Sequence, residues 1–202
     1  IYNTSLATFD GYCNGGLNAA AVDMANCGGD CNGTYREGYR DFTEINSGVV
    51  YVGFKFKAQF VGNGKDYGLA LYDDGSEKIS FGKVDSASDF MGIKTPDGIT
   101  LSTYQMYTGS EYLVIGRYDF DSREARIKVF YDNNFSTNEP TSWDATRTAP
   151  ASVSALNRAT LWGRNGAAGE NGGVLVWDDV RIATVWADLI CSSSEADHYP
   201  TM

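Results

Sequence analysis

The sequence predicts an all-β chain folded as a two-sheet antiparallel sandwich, and three observations carry that prediction. Apolar residues recur with a period of two: between Ser47 and Val61, the residues Val50, Val52, Phe54, Phe56, Ala58 and Phe60 alternate with Tyr51, Lys55, Lys57 and Gln59. Such alternation turns one face of a strand toward a core and the other toward water. Short runs of this kind are punctuated by turn chemistry, as in "DDGSE", "TPDG", "DFDSRE" and "GRNGAAGENGG". A helical period is almost absent, and many short strands with little helix pack as two sheets.

Taken in order, residues 1–47 form a Cys/Gly/Asn-rich segment expected to pack on or extend from the sandwich, with at most a short helical piece around Leu17–Asn26. The sandwich is assigned to residues 48–191. After the strand near Val50 come "YGLALYDD", "KISFGKV", "YLVIGRYDF", "EARIKVFYD", "RATLWGR" and "GVLVWDDVRI". The stretch "YLVIGRYDFDSREARIKVFYD" reads as a hairpin turning at Asp121–Glu124, with Ile127, Val129 and Tyr131 facing inward. Residues 192–202 form a polar tail.

Composition narrows the function classes. A chain of 202 residues, 43% hydrophobic, is long enough for one sizeable core. A net charge of −10 argues against nucleic acid, whose recognition needs a basic footprint. No apolar run approaches the roughly 18 residues of a membrane-spanning helix, so no membrane insertion is expected. Beginning at Ile1 rather than Met is what a processed, exported protein presents, although a trimmed chain looks the same. The even set Cys13, Cys27, Cys31 and Cys191 reads as two disulfides made outside the cytosol. One pairing would tie Cys191 to the N-terminal cluster; by the chain-entropy model so long a loop contributes on the order of 4–5 kcal/mol. The competing reading is a zinc site. It is weakened by the Cys-x₃-Cys spacing of "CGGDC" and by a single histidine, His198, in the tail.

The closing strand carries a resemblance. In "GVLVWDDVRIATVWADL", residues Trp177, Asp178, Asp179, Val180, Arg181, Ile182, Thr184 and Trp186 stand where LamG-like domains of exported bacterial proteins read roughly F-D-[DE]-[IV]-R-[IV]-G-T-x-W, with Ala183 where Gly is usual. "VYVGFKFKAQF", "YGLALYDDGSEKISFGK", "YLVIGRYDFDSREARIKVFY" and "RATLWGRNG" resemble that family's successive strands, so the similarity covers Val49 to Leu189. The resemblance implies a concanavalin-A-like jelly-roll sandwich with first and last strands close together. Fold does not give function: such domains include lectins, glycanases, lyases, adhesins and architectural surface proteins.

The chemistry must therefore come from residues. A retaining glycosidase needs two carboxylates about 5–5.5 Å apart, and sandwich glucanases supply them from one strand as Glu-x-Asp-x-(x)-Glu. No such segment occurs, and no two glutamates stand two or three residues apart. Asp178 and Asp179 are adjacent, so alternation predicts that they point to opposite faces and brace the scaffold. A calcium site is the alternative for this pair, and likewise for Asp73 and Asp74 in "YDDGSE". G-x-S-x-G and H-E-x-x-H are absent, and a lone tail histidine leaves no Ser/His/Asp triad. A lyase using tyrosine and arginine stays open without a selected pair.

Glycan binding needs aromatic faces and polar loops. Trp162 and Trp177 lie within strands and read as core; Trp143, Tyr104 and Tyr107 lie in loops and are the candidate ligand residues. Self-assembly into a homo-oligomer or fibre is the third option, by addition of a strand such as "IYNTSLATF" to an exposed sheet edge. Asn3, Asn32 and Asn134 head glycosylation sequons, meaningful in a glycosylating host. Together these readings favour a non-catalytic, secreted, self-associating structural protein, followed by a lectin-like module and then by a polysaccharide hydrolase or lyase.

Overall fold

A computed structural model describes residues 20–23, 34–58, 61–62, 64–131, 135–165 and 174–190. One sheet runs edge to edge as β1 (Ala20–Asp23), β12 (Val174–Ala183), β3 (Val49–Ala58), β8 (Glu111–Asp119), β9 (Glu124–Tyr131) and β10 (Ala145–Thr148). The other runs as β2 (Thr34–Ile45), β11 (Leu156–Asn165), β4 (Lys65–Asp73), β5 (Ser76–Lys83), β6 (Phe90–Thr95) and β7 (Gly98–Gln105). Every pairing is antiparallel, as a jelly-roll sandwich requires. Among the described residues the only helical piece is a 3-10 turn, Trp186–Leu189. The four cysteines, the three sequon asparagines and the C-terminal tail lie outside the described residues.

The core forms as alternation dictates. Val50, Val52, Phe54, Phe56 and Ala58 of β3 meet Leu69, Leu71, Ile79 and Phe81 of the opposite sheet, with Ile127 and Val129 beside them. Trp177 is also in this core. Phe81 enters a hollow left by Gly116, where a Cβ would lie 2.6 Å from its ring. The β8–β9 hairpin turns as expected between Asp119 and Glu124: Asp119 Oδ1 accepts from the Asp121 and Ser122 amides. Asp74 and Gly75 link β4 to β5 with φ of 47° and 78°, as a two-residue Asp-Gly hairpin demands.

Two expectations are corrected. The short helical piece near Leu17–Asn26 is instead a strand over Ala20–Asp23, because Val174–Trp177 of β12 offers it a ladder. The polar face of β3 is not wholly in water, although Lys57 remains partly exposed. Tyr51 is buried under a second cluster on the outer face of the first sheet, with Leu113, Ile115, Phe130 and Leu189, against which Trp143 and Trp186 pack. Lys55 is only 2% exposed.

The sheets are clamped along one edge. Arg147 of β10 reaches across to β6 and β7: its Nε donates to Thr95 Oγ1 (2.6 Å), one Nη to Thr100 Oγ1 (3.2 Å) and the other to Asp97 Oδ1 (3.0 Å). Nearby, Tyr118 Oη donates to the Val153 carbonyl at 2.9 Å.

Candidate functional site

The twin acids of β12 sit on a bulge. The β12–β3 register steps from Asp178↔Lys55 to Arg181↔Gly53, so β12 carries one residue more than its partner. Asp179 absorbs the extra length with φ of 48°, left-handed for a non-glycine residue. Aspartate tolerates that region because its short polar side chain bonds locally, and here the Asp179 amide donates to Asp178 Oδ1 at 2.9 Å. Bulges re-aim side chains. Asp178, directly opposite Lys55, shares its face, and Asp179 Oδ2 lies 2.5 Å from Lys55 Nζ. The expectation that the two acids diverge is thus overturned: strict alternation holds only while strands stay in register, and one extra residue cancels it. Both acids are buried, each 9% exposed. On its other side Lys55 faces the buried Leu113 of β8.

The bulge also lifts Val180 to 40% exposure at the rim of a cleft of about 610 Å³ between the sheets. Phe42, Leu69, Leu161, Val180 and Ile182 give it an apolar lining, and Arg40 stands at the mouth. A smaller hollow of about 450 Å³ shares Phe42 and Ile182 and adds Glu44, Ile45 and Asp188. The two make one groove along β2, with a cation near one end and acids near the other. Among the described residues β2 is the last strand of its sheet, paired with β11 alone.

The other sequence candidates scatter. Asp73 is 3.7 Å from Lys78, and Asp74 accepts from Asn157 Nδ2 at 3.1 Å while its amide donates to Asn157 Oδ1. Among the described residues no three His, Cys, Asp or Glu side chains gather to hold a metal ion. The cation beside Asp179 is the Lys55 ammonium. Trp143 packs on the outer cluster of the first sheet, and its ring is partly covered. Tyr104, expected in a loop, lies instead within β7 and edge-on to Tyr112 at 6.1 Å, so of the three candidates Tyr107, 59% exposed, is the one open to solvent. Residue reasoning missed Tyr39, which is 60% exposed on the outer face of the second sheet with the Arg158 guanidinium 4.1 Å from its ring centre. Arg158 Nε also donates to Asp41 Oδ1 at 2.5 Å. Lys55 was missed as well, because the bulge that brings Asp179 to it lies in a strand far along the chain.

No protein-family model and no curated protein matches the chain. Among solved structures it is similar to a sialidase at a TM-score of 0.55 and 13% identity, over 82% of this chain but only 15% of the sialidase. A native heptameric SAP-like pentraxin from Limulus polyphemus matches at a TM-score of 0.50 and 9% identity, over 85% of this chain and 79% of the pentraxin. A tetrameric galectin from the ball sponge Cinachyrella sp. matches at 0.48 and 10% identity, over 73% of this chain and 99% of the galectin. Identities this low speak to fold alone. Strand order, antiparallel pairing and the likeness to the sialidase and pentraxin structures agree: the chain folds as a concanavalin-A-like jelly roll.

Proposed function

We propose that this protein is a secreted, non-catalytic assembly subunit whose copies join through the groove between β2 and β12. The observation that carries the reading is an apolar groove running beside a terminal strand of twelve residues. Exposed apolar lining next to a sheet edge is the physical arrangement that accepts an added strand. The occupant is an extended segment of a second copy, with Ile1–Phe9 as the candidate because its Tyr2, Leu6 and Phe9 offer apolar contacts. Charge at the groove ends, Arg40 on one side and Glu44 with Asp188 on the other, would set strand direction. The Limulus pentraxin, a heptamer of similar fold, supports the reading without extending to this chain's own contacts. Secretion rests on the even cysteine set. Light scattering and electron microscopy on the full chain test the proposal: Phe42→Asp should shift assemblies toward monomer, and a strictly monomeric wild type at high concentration refutes it.

A second reading has its own observation. Tyr39, with Arg158 against its ring and Asp41 bonded to that arginine, offers a stacking face and hydroxyl-binding groups to a sugar. Tyr39→Ala should abolish any hit on a glycan array; an array without hits removes the idea.

A further inference from the structure

The groups around Lys55 are arranged for more than an ion pair. A lysine and two aspartates share one face of adjacent antiparallel strands, and none is more than 9% exposed. Lys55 Nζ stands 2.5 Å from Asp179 Oδ2. The Asp179 carboxylate reaches that place only through a left-handed backbone at a bulge. Strain of this kind at a non-glycine residue marks positions that the surrounding structure over-determines, and such positions cluster at functional sites. A regular β12 would have turned Asp179 inward, leaving Lys55 opposite Asp178 alone.

We propose that Lys55 and Asp179 condense into an intramolecular isopeptide bond that joins β3 to β12, with Asp178 as the proton carrier. The bond formed is Lys55 Nζ–Asp179 Cγ, and the bond broken is Asp179 Cγ–Oδ2. One ammonium proton passes to Oδ2, giving a free amine and a carboxylic acid. The amine attacks Cγ, and Asp178 accepts the next nitrogen proton and returns it to the departing hydroxyl. One water leaves, one positive and one negative charge vanish together, and no oxidant, reductant or cofactor is needed.

Three physical features favour the step. Nucleophile and carbonyl carbon are held together, and well-oriented intramolecular reactions reach effective molarities on the order of 10⁵ M or more. Burial disfavours the charged pair relative to a neutral product, because each ion has given up water. Leu113 closes the lysine's far side and limits the water that would hydrolyse the product. The proton carrier, Asp178, stands directly opposite Lys55 in the β12–β3 ladder, and the Asp179 amide bonds its Oδ1. This inference is independent of how, or whether, copies associate.

Intact mass of the folded, reduced and alkylated full chain tests it, with peptide mapping to separate any glycan from the cross-link. The expected result is a peptide containing both Lys55 and Asp179, lighter by one water than the sum of its two parts. Lys55→Arg keeps the cation but should give no cross-link. Asp178→Asn should lower the cross-linked fraction at least tenfold over the same incubation, with tryptophan fluorescence confirming the fold. Separate, unmodified Lys55 and Asp179 peptides from long-incubated wild type overturn the proposal, and this measurement decides even if a variant does not fold. Full cross-linking in Asp178→Asn overturns the role given to Asp178.

Discussion

The two long edges of the sandwich end differently. Where β10 meets β6 and β7, Arg147 spans the gap and satisfies three oxygens at once, so the edge is closed by groups of this chain. Where β12 meets β2, the facing residues are Phe42, Leu161, Val180 and Ile182, and a groove remains. A polar bridge has fixed partners at fixed angles and excludes a third body. An apolar lining has no such preference and gains by covering whatever reaches it, at roughly 25 cal/mol per Å² buried. One edge is therefore closed by the chain's own groups, and the other carries the surface proposed above for docking.

Mutation should separate the two edges from the core and from each other. Ile127→Ala, in the fully packed half, should cost about 2–5 kcal/mol, whereas Leu161→Ala at the groove should cost less, because its surroundings are already open. Equal urea midpoint shifts would show that the groove is as tightly packed as the core. Arg147→Ala should cost about 1–3 kcal/mol by removing the donor to the Thr95 and Thr100 hydroxyls and one of the two donors to Asp97. A change in midpoint without a change in m-value is the signature expected.

Acid should loosen the clamped edge. The Thr95 hydroxyl that donates to Asp97, followed by the Arg147 guanidinium, holds the Asp97 carboxyl below its ordinary range. A depressed folded-state pKa stabilises the fold above the unfolded value, and that contribution disappears as pH falls through the carboxylate range toward the folded value. Asp97→Asn should flatten the fall in thermal midpoint over that window; an unchanged pH profile would show that the clamp does not depend on this charge. The smallest effect on the isolated fold is expected from Val180→Asp, within about 0.5 kcal/mol for a partly exposed position. Association should nevertheless weaken, and the contrast between the two readouts separates a docking surface from a structural one.

Much of the architecture was legible along the chain. The alternation of β3 named its core residues, the "DDGSE" and "DFDSRE" stretches named their turns, and the closing strand's resemblance named the jelly roll. The site was much less so. Tyr51 and Lys55 read as solvent-facing because a period of two reports which residues share a face, not whether that face is covered. Asp178 and Asp179 read as divergent because alternation presumes perfect register, which the bulge removes.

What the sequence determined by itself was the strand character, the turns and the sorting of each strand into two faces, since these depend on neighbours within a few residues. What only the tertiary structure decided was that Lys55 meets Asp179, that Arg147 meets Thr95, and that Val180 and Phe42 line one groove. Those meetings join residues 124, 52 and 138 positions apart, taking the difference of their numbers in each case. They follow from strand order and a single inserted residue, which no local pattern encodes.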